Sequence, residues 1–125
     1  MITLAKFNEV SEQQIFNQVV AHLRKQGEQS LNSNGVCAYR GTAGKMCAAG
    51  CLIGEHEYFP MMDDNGEGLD WGVGVAMGYF PEQHETLIVA LQEVHDSHEI
   101  NWERGFKRIA EEYNLIYVPP VEDKQ

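Results

Sequence analysis

A mostly α fold carrying one short β-hairpin (class α+β) is predicted by three features of the sequence. Apolar residues recur at helical spacing in three stretches: Ile15, Phe16, Val19, Val20 and Leu23; Leu87, Ile88, Leu91, Val94 and His95; Trp102, Phe106, Ile109, Ala110 and Tyr113. Two turn clusters, Asn32-Ser-Asn-Gly35 and Gly41-Thr-Ala-Gly44, stand on either side of a short segment with aromatic and β-branched residues. The chain has 125 residues, 43% of them hydrophobic, which fits one domain with its own core, residues 1–125.

The first helix is expected over residues 12–26. Ser11 and Gln14 have the spacing of a capping box, and Val10 and Ile15 that of a hydrophobic staple. Arg24 and Lys25 suit the last turn, and Gly27 the stop. Residues 36–40 and 45–48 are then expected to pair as the hairpin, leaning on helices because two strands alone are marginal. Residues 47–53 are small and apolar and fit a short helix ended by Gly54. Residues 54–80 are punctuated by Pro60 and five glycines, with a short helix expected somewhere in residues 69–80. Pro81 fits the first position of the next helix, with Glu82 and Glu85 near its positive end. Asn101 is a candidate N-cap for the last helix. Gly105 inside that helix costs about 1 kcal/mol relative to alanine, which a close approach by another element would explain. The tail, residues 115–118, is expected to pack as an extended segment, with residues 121–125 frayed.

Charge is unevenly distributed. Between Lys45 and Arg104 there is no Lys or Arg, and that interval carries twelve acids; the whole chain has a net charge of −10. Such a block repels phosphate, so direct nucleic-acid binding is not expected, while a partner with a basic surface is. No apolar run is long enough for a membrane span. The first residues lack the pattern of a signal peptide, and three cysteines make an odd number, so a cytoplasmic protein with reduced thiols is expected.

Several stretches invite a chemical reading. Cys37, Cys47, Cys51 and His56 form a possible Cys₃His set, but only Cys47 and Cys51 have the spacing of a paired zinc ligand, and the small apolar neighbours favour buried thiols. A Cys37–Cys47 disulfide is possible across the expected hairpin, against the reducing compartment. His95-Asp-Ser-His98-Glu99 lacks His-Glu-x-x-His spacing, and His95 continues an apolar stripe, so a hydrogen-bonded core-edge histidine is expected there. Asp63-Asp-Asn-Gly-Glu67-Gly starts like a calcium loop but places Gly74 where a bidentate Glu belongs. Gly72, Gly74 and Gly78 imitate a dinucleotide fingerprint without the preceding strand, and read as a packed turn or close helix contact. No complete catalytic set emerges, and no cofactor is implied. The candidate binding residues are Tyr39, Arg40 and Lys45 beside the turn, where backbone N–H groups suit an anion, and Asp63, Asp64, Glu67, Asp70 and Trp71 in the acidic block.

Cys37-Ala-Tyr-Arg-Gly41, followed by Cys47-Ala-Ala-Gly-Cys-Leu-Ile53 and then Tyr58, resembles a pattern found in small uncharacterised proteins of tailed phages and prophages. The likeness covers roughly residues 12–60. It implies a protein of the infected bacterial cytoplasm, and carries over no catalytic residue. The expected function is therefore a non-enzymatic binder or modulator of a bacterial host protein, in host takeover or anti-defence. A small-molecule or nucleotide binder is the alternative, and a DNA mimic a third reading. Oligomerisation is left open.

Overall fold

The computed structural model describes residues 1–66, 68–97 and 101–121, apart from the side chains of Asn65 and Gly66. It is mostly helical: α1 (Glu12–Gln26), α2 (Trp71–Ala76), α3 (Glu85–Asp96) and α4 (Trp102–Tyr113), joined by 3₁₀ turns at Leu4–Glu9, Thr42–Gly44, Gly50–Leu52 and Pro60–Gly66. No helix among the described residues is long and apolar enough to cross a membrane.

The start of α1 follows its local sequence. The Ser11 side chain accepts from Gln14 N, the Gln14 side chain accepts from Ser11 N, and Gly27 closes the helix at φ 75°. Its stripe Ile15, Phe16, Val19, Val20 and Leu23 is fully buried, and such a side chain contributes ~1.5–3 kcal/mol relative to exposure. The α3 stripe Leu87, Ile88, Leu91 and Val94 meets Phe106, Ile109 and Ala110 of α4 in the same core. α4 crosses α3 at Gly105: a Cβ there would lie 2.8 Å from both Val94 methyls, which accounts for a glycine in mid-helix. Asn101 caps α4, accepting from Glu103 N and Arg104 N.

The tail after α4 runs extended along α1. Gln13 exchanges two hydrogen bonds with the Ile116 backbone, Arg24 donates to Val118 O, and Tyr117 donates to Glu103, which also pairs with Arg24 at 2.7 Å. Most of the residues expected to fray, 122–125, lie outside the described residues.

Two expectations are corrected. The hairpin between residues 36–40 and 45–48 does not form. The Asn32–Gly35 cluster makes the turn instead: Asn32 N bonds Val36 O at 2.7 Å, and the Asn32 carboxamide accepts from Asn34 N and Val36 N. Pairing beyond it is a single antiparallel bridge, Leu31 to Cys37. The second turn cluster becomes a 3₁₀ turn with Ala43 left-handed, closed by Gly41 N to Lys45 O and Lys45 N to Thr42 O. An Asx-type turn that captures its own backbone competes well with a ladder of few bonds.

The start of α3 also falls later than Pro81. The His84 backbone is left-handed at φ 66°, and its Nε2 lies 3.0 Å from both Phe7 O and Val10 O. A long-range tie to the N-terminal segment holds His84 outside the helix, and Glu85 begins it.

Candidate functional site

Residues 37–63 fold into a corner in which almost every polar group is used. Asp63 is buried, and its carboxylate accepts from Tyr39 N (2.8 Å), Arg40 N (3.0 Å) and Tyr58 OH (2.7 Å). The Arg40 guanidinium donates to Gly50 O and Ile53 O, and lies over the Tyr58 ring at 4.8 Å. Tyr39 OH donates to Leu69 O. Gly50 must be glycine, because a Cβ would meet Tyr39 O at 2.5 Å. The residues of the Cys-x-Tyr-Arg-Gly stretch and Tyr58 are thus parts of one interlocked structure.

Beside this corner lies a cleft of about 270 Å³, formed by residues 37–39, Cys47, residues 68–71 and the α3 residues Val89, Gln92, Glu93 and Asp96. Trp71 stacks on Phe80 at 4.0 Å and meets Tyr39 edge-on at 6.3 Å. Its indole Nε1 is the buried side-chain polar atom left without a hydrogen-bond partner among the described residues. A buried donor without an acceptor costs about 1–3 kcal/mol. At the rim stand the carboxylates of Asp70, Glu93 and Asp96. Asp70 caps α2 by accepting from Val73 N. The Glu93 carboxylate accepts no hydrogen bond, and no Lys or Arg pairs with any of the three among the described residues.

Asp96 gathers the donors of the cleft's far end. His95 Nδ1 and Gln92 Nε2 each reach its Oδ1 at 2.7 Å, and the Cys37 thiol hydrogen-bonds to it. Burial raises the Asp96 pKa, but the bonds from His95 and Cys37 outweigh that and leave it below the ordinary carboxylate value. Gln92 also accepts from Ala49 N, which ties α3 to the cysteine-bearing segment.

Cys37, His95 and Asp96 bring three potential ligand atoms within 4.8 Å of one another. The hydrogen bonds around His95 oppose a metal there. Ser30 N–H donates to Nε2 at 3.0 Å, so the ring proton sits on Nδ1 and is donated to Asp96. A metal on Nδ1 would move that proton to Nε2, where it would face the Ser30 N–H donor to donor. The expected core-edge histidine is what the fold contains; His98 lies outside the described residues. The thiols are equally unsuited to nucleophilic work. Burial pushes Cys51 up to about 12; burial, with Asp96 beside it, does the same to Cys37, and burial moves Cys47 in the same direction. A thiolate is needed for attack, and these groups hold their protons. All three cysteines are free, and His56 is exposed, away from the cluster around Asp96.

Of the residues expected to bind, the structure brings Tyr39, Asp70 and Trp71 to the cleft. Arg40 and Asp63 are committed to the corner. Lys45 pairs with Glu28 at 2.8 Å. Arg40 and Lys45 also line a second hollow, where Arg40 donates to Gly50 O and Ile53 O and Lys45 pairs with Glu28. Asp64 is exposed on the Pro60–Gly66 turn, and Glu67 lies outside the described residues. Sequence reasoning missed Gln92, Glu93 and Asp96 as one wall. Their i, i+1, i+4 spacing on a helix with an otherwise apolar stripe was the available signal. Comparison with known proteins finds no family model, no curated protein and no solved structure that matches this chain.

Proposed function

We propose that this protein is a non-enzymatic binder of a bacterial host protein with a basic surface, acting in the infected cytoplasm. The observation that carries the reading is an exposed apolar strip within the acidic block. Val73 on α2 and Met77 at its C-cap stand one turn apart, 47% and 52% exposed; Met61 is 56% and Phe59 37% exposed. Tyr79 folds back beside α2 through its N–H to Gly74 O, and its ring meets Phe59 at 4.9 Å. Flexible methionines beside an aromatic pair suit an adaptable protein contact. Exposed Asp64, Asp70 and Glu82 flank these residues in sequence, with no Lys or Arg between Lys45 and Arg104 to neutralise them. The phage setting comes from the Cys-x-Tyr-Arg-Gly resemblance alone.

The test is affinity capture from bacterial lysate, run with the wild type and with a Met61→Lys/Met77→Lys variant of unchanged melting temperature. One host protein should bind saturably to the wild type, weaken as salt rises, and be lost with the variant. Capture that ignores both salt and the two substitutions would sink the reading. If the partner is a DNA-binding protein, displacement of its DNA would make this protein a DNA mimic.

A further inference from the structure

We propose that the outer face of α4 pairs with the same face of a second copy of this chain, antiparallel about a two-fold axis. This face holds no residue of the apolar strip, so the inference stands apart from the reading above. Two independent observations carry it: the order of charges along α4, and the exposed apolar residues of the tail beside it.

The exposed charges of α4 fall into two blocks. Arg104, Lys107 and Arg108 come first, and Glu111 and Glu112 follow. Within a single helix this order is unfavourable. Arg104 stands in the first turn, where the helix end is positive; Glu111 and Glu112 stand in the last, where it is negative. Arg104 and Arg108 are four positions apart, a repulsive spacing for like charges. The acid of the first turn, Glu103, is taken up by Arg24 and Tyr117. Arg108 and Glu112 approach only to 4.0 Å, with both side chains more than half exposed. Arg104 and Lys107 have no ion pair among the described residues.

An antiparallel copy answers this pattern. Its acidic end lies over the basic block, with Lys107 opposite Glu112 and Arg108 opposite Glu111. The two-fold axis repeats both pairs, and the helix dipoles oppose each other. Other occupants fit worse. Glu111, Glu112 and the net charge of −10 repel a phosphate backbone, and the basic block repels a basic protein. A face with both signs in separate blocks matches its own reverse. The tail supplies the apolar part that an interface needs. It turns back at Asn114 and passes Glu103, which accepts from Tyr117 OH. Leu115 and Tyr117 are half-buried, while Ile116 and Val118 between and after them are 70% and 65% exposed. Because each copy carries the same net charge, the pair forms only as concentration rises.

The experiment is sedimentation equilibrium of the full chain over a concentration series. The wild type should pass from monomer to dimer and stop there, because a two-fold contact closes on itself. Two charge-reversed variants are compared, Lys107→Glu/Arg108→Glu and Glu111→Lys/Glu112→Lys, each with its fold checked by circular dichroism. Each alone should raise the dimer Kd at least roughly tenfold, since four weak pairs become four repulsions. Mixed in equal amounts, the two variants should dimerise again, because every reversed charge then meets its opposite. The proposal is overturned if the wild type stays monomeric or grows past the dimer. It is equally overturned if either variant dimerises as the wild type does, or if the mixture stays monomeric. Self-association lost only with Met61→Lys/Met77→Lys would move the contact to the apolar strip and overturn it as well.

Discussion

The corner around Asp63 and the cleft around Trp71 adjoin each other, share Tyr39, and treat their polar groups in opposite ways. In the corner, one buried carboxylate takes three donors, and one guanidinium takes two carbonyls and an aromatic face. In the cleft, among the described residues, a buried indole N–H has no acceptor and the Glu93 carboxylate has no donor. Polar groups that satisfy one another hold a fold together and have nothing left for a ligand. Groups left over are where a ligand can gain.

Asp63→Ala would break this contrast most forcefully. It strands two backbone N–H groups and a tyrosine hydroxyl, and should cost on the order of 3 kcal/mol or more in urea unfolding. Asp64→Ala, one residue away and exposed, should stay within about 0.5 kcal/mol. Gly50→Ala comes next. The Tyr39 carbonyl has no room to retreat without disturbing the Asp63 bonds, so about 2 kcal/mol is expected by the same measurement.

Asp96 sharpens the comparison through pH, because it belongs to the cleft yet is saturated with donors. Its pKa is depressed in the folded state, so its contribution is present above the unfolded carboxylate pKa of about 3.9. That contribution is lost as pH falls through the folded value. Urea midpoints measured from pH 6 to pH 2 should therefore fall more steeply for the wild type than for Asp96→Asn. Equal slopes would remove Asp96 from the stabilising set. The Cys37 thiol, held up at about 12, should react with a disulfide reagent at pH 8 roughly a thousandfold more slowly than a free cysteine of pKa near 8.5. The smallest effect belongs to the rim: Glu93→Gln should change stability by less than about 0.5 kcal/mol.

What was legible in the sequence was local. The Ser11–Gln14 capping box, the Gly27 stop, the Asn101 cap and the three apolar stripes each depend on residues within a turn or two, and each appears in the fold. The close approach expected at Gly105 is Val94. The misjudged features depend on distant partners. His84 is drawn out of α3 by carbonyls more than 70 positions earlier. The hairpin lost to a turn whose strength lies in the Asn32 side chain, which a count of turn residues cannot rank. Asp63 looked like one acid among twelve, because its donors are more than 20 positions upstream, apart from Tyr58. Of the site, Tyr39, Asp70 and Trp71 were singled out, while the α3 wall was hidden behind a search for metal spacing at His95.

The interlocked carboxylate of Asp63 has a consequence for genetics. A screen for inactivating mutations in this protein will collect substitutions at Asp63, Tyr39, Arg40 and Gly50, since each removes enough stability to lower the amount of folded protein in the cell. Those alleles will report abundance. The alleles that report recognition will be rarer, will leave protein levels intact, and will fall on side chains that nothing in the fold requires.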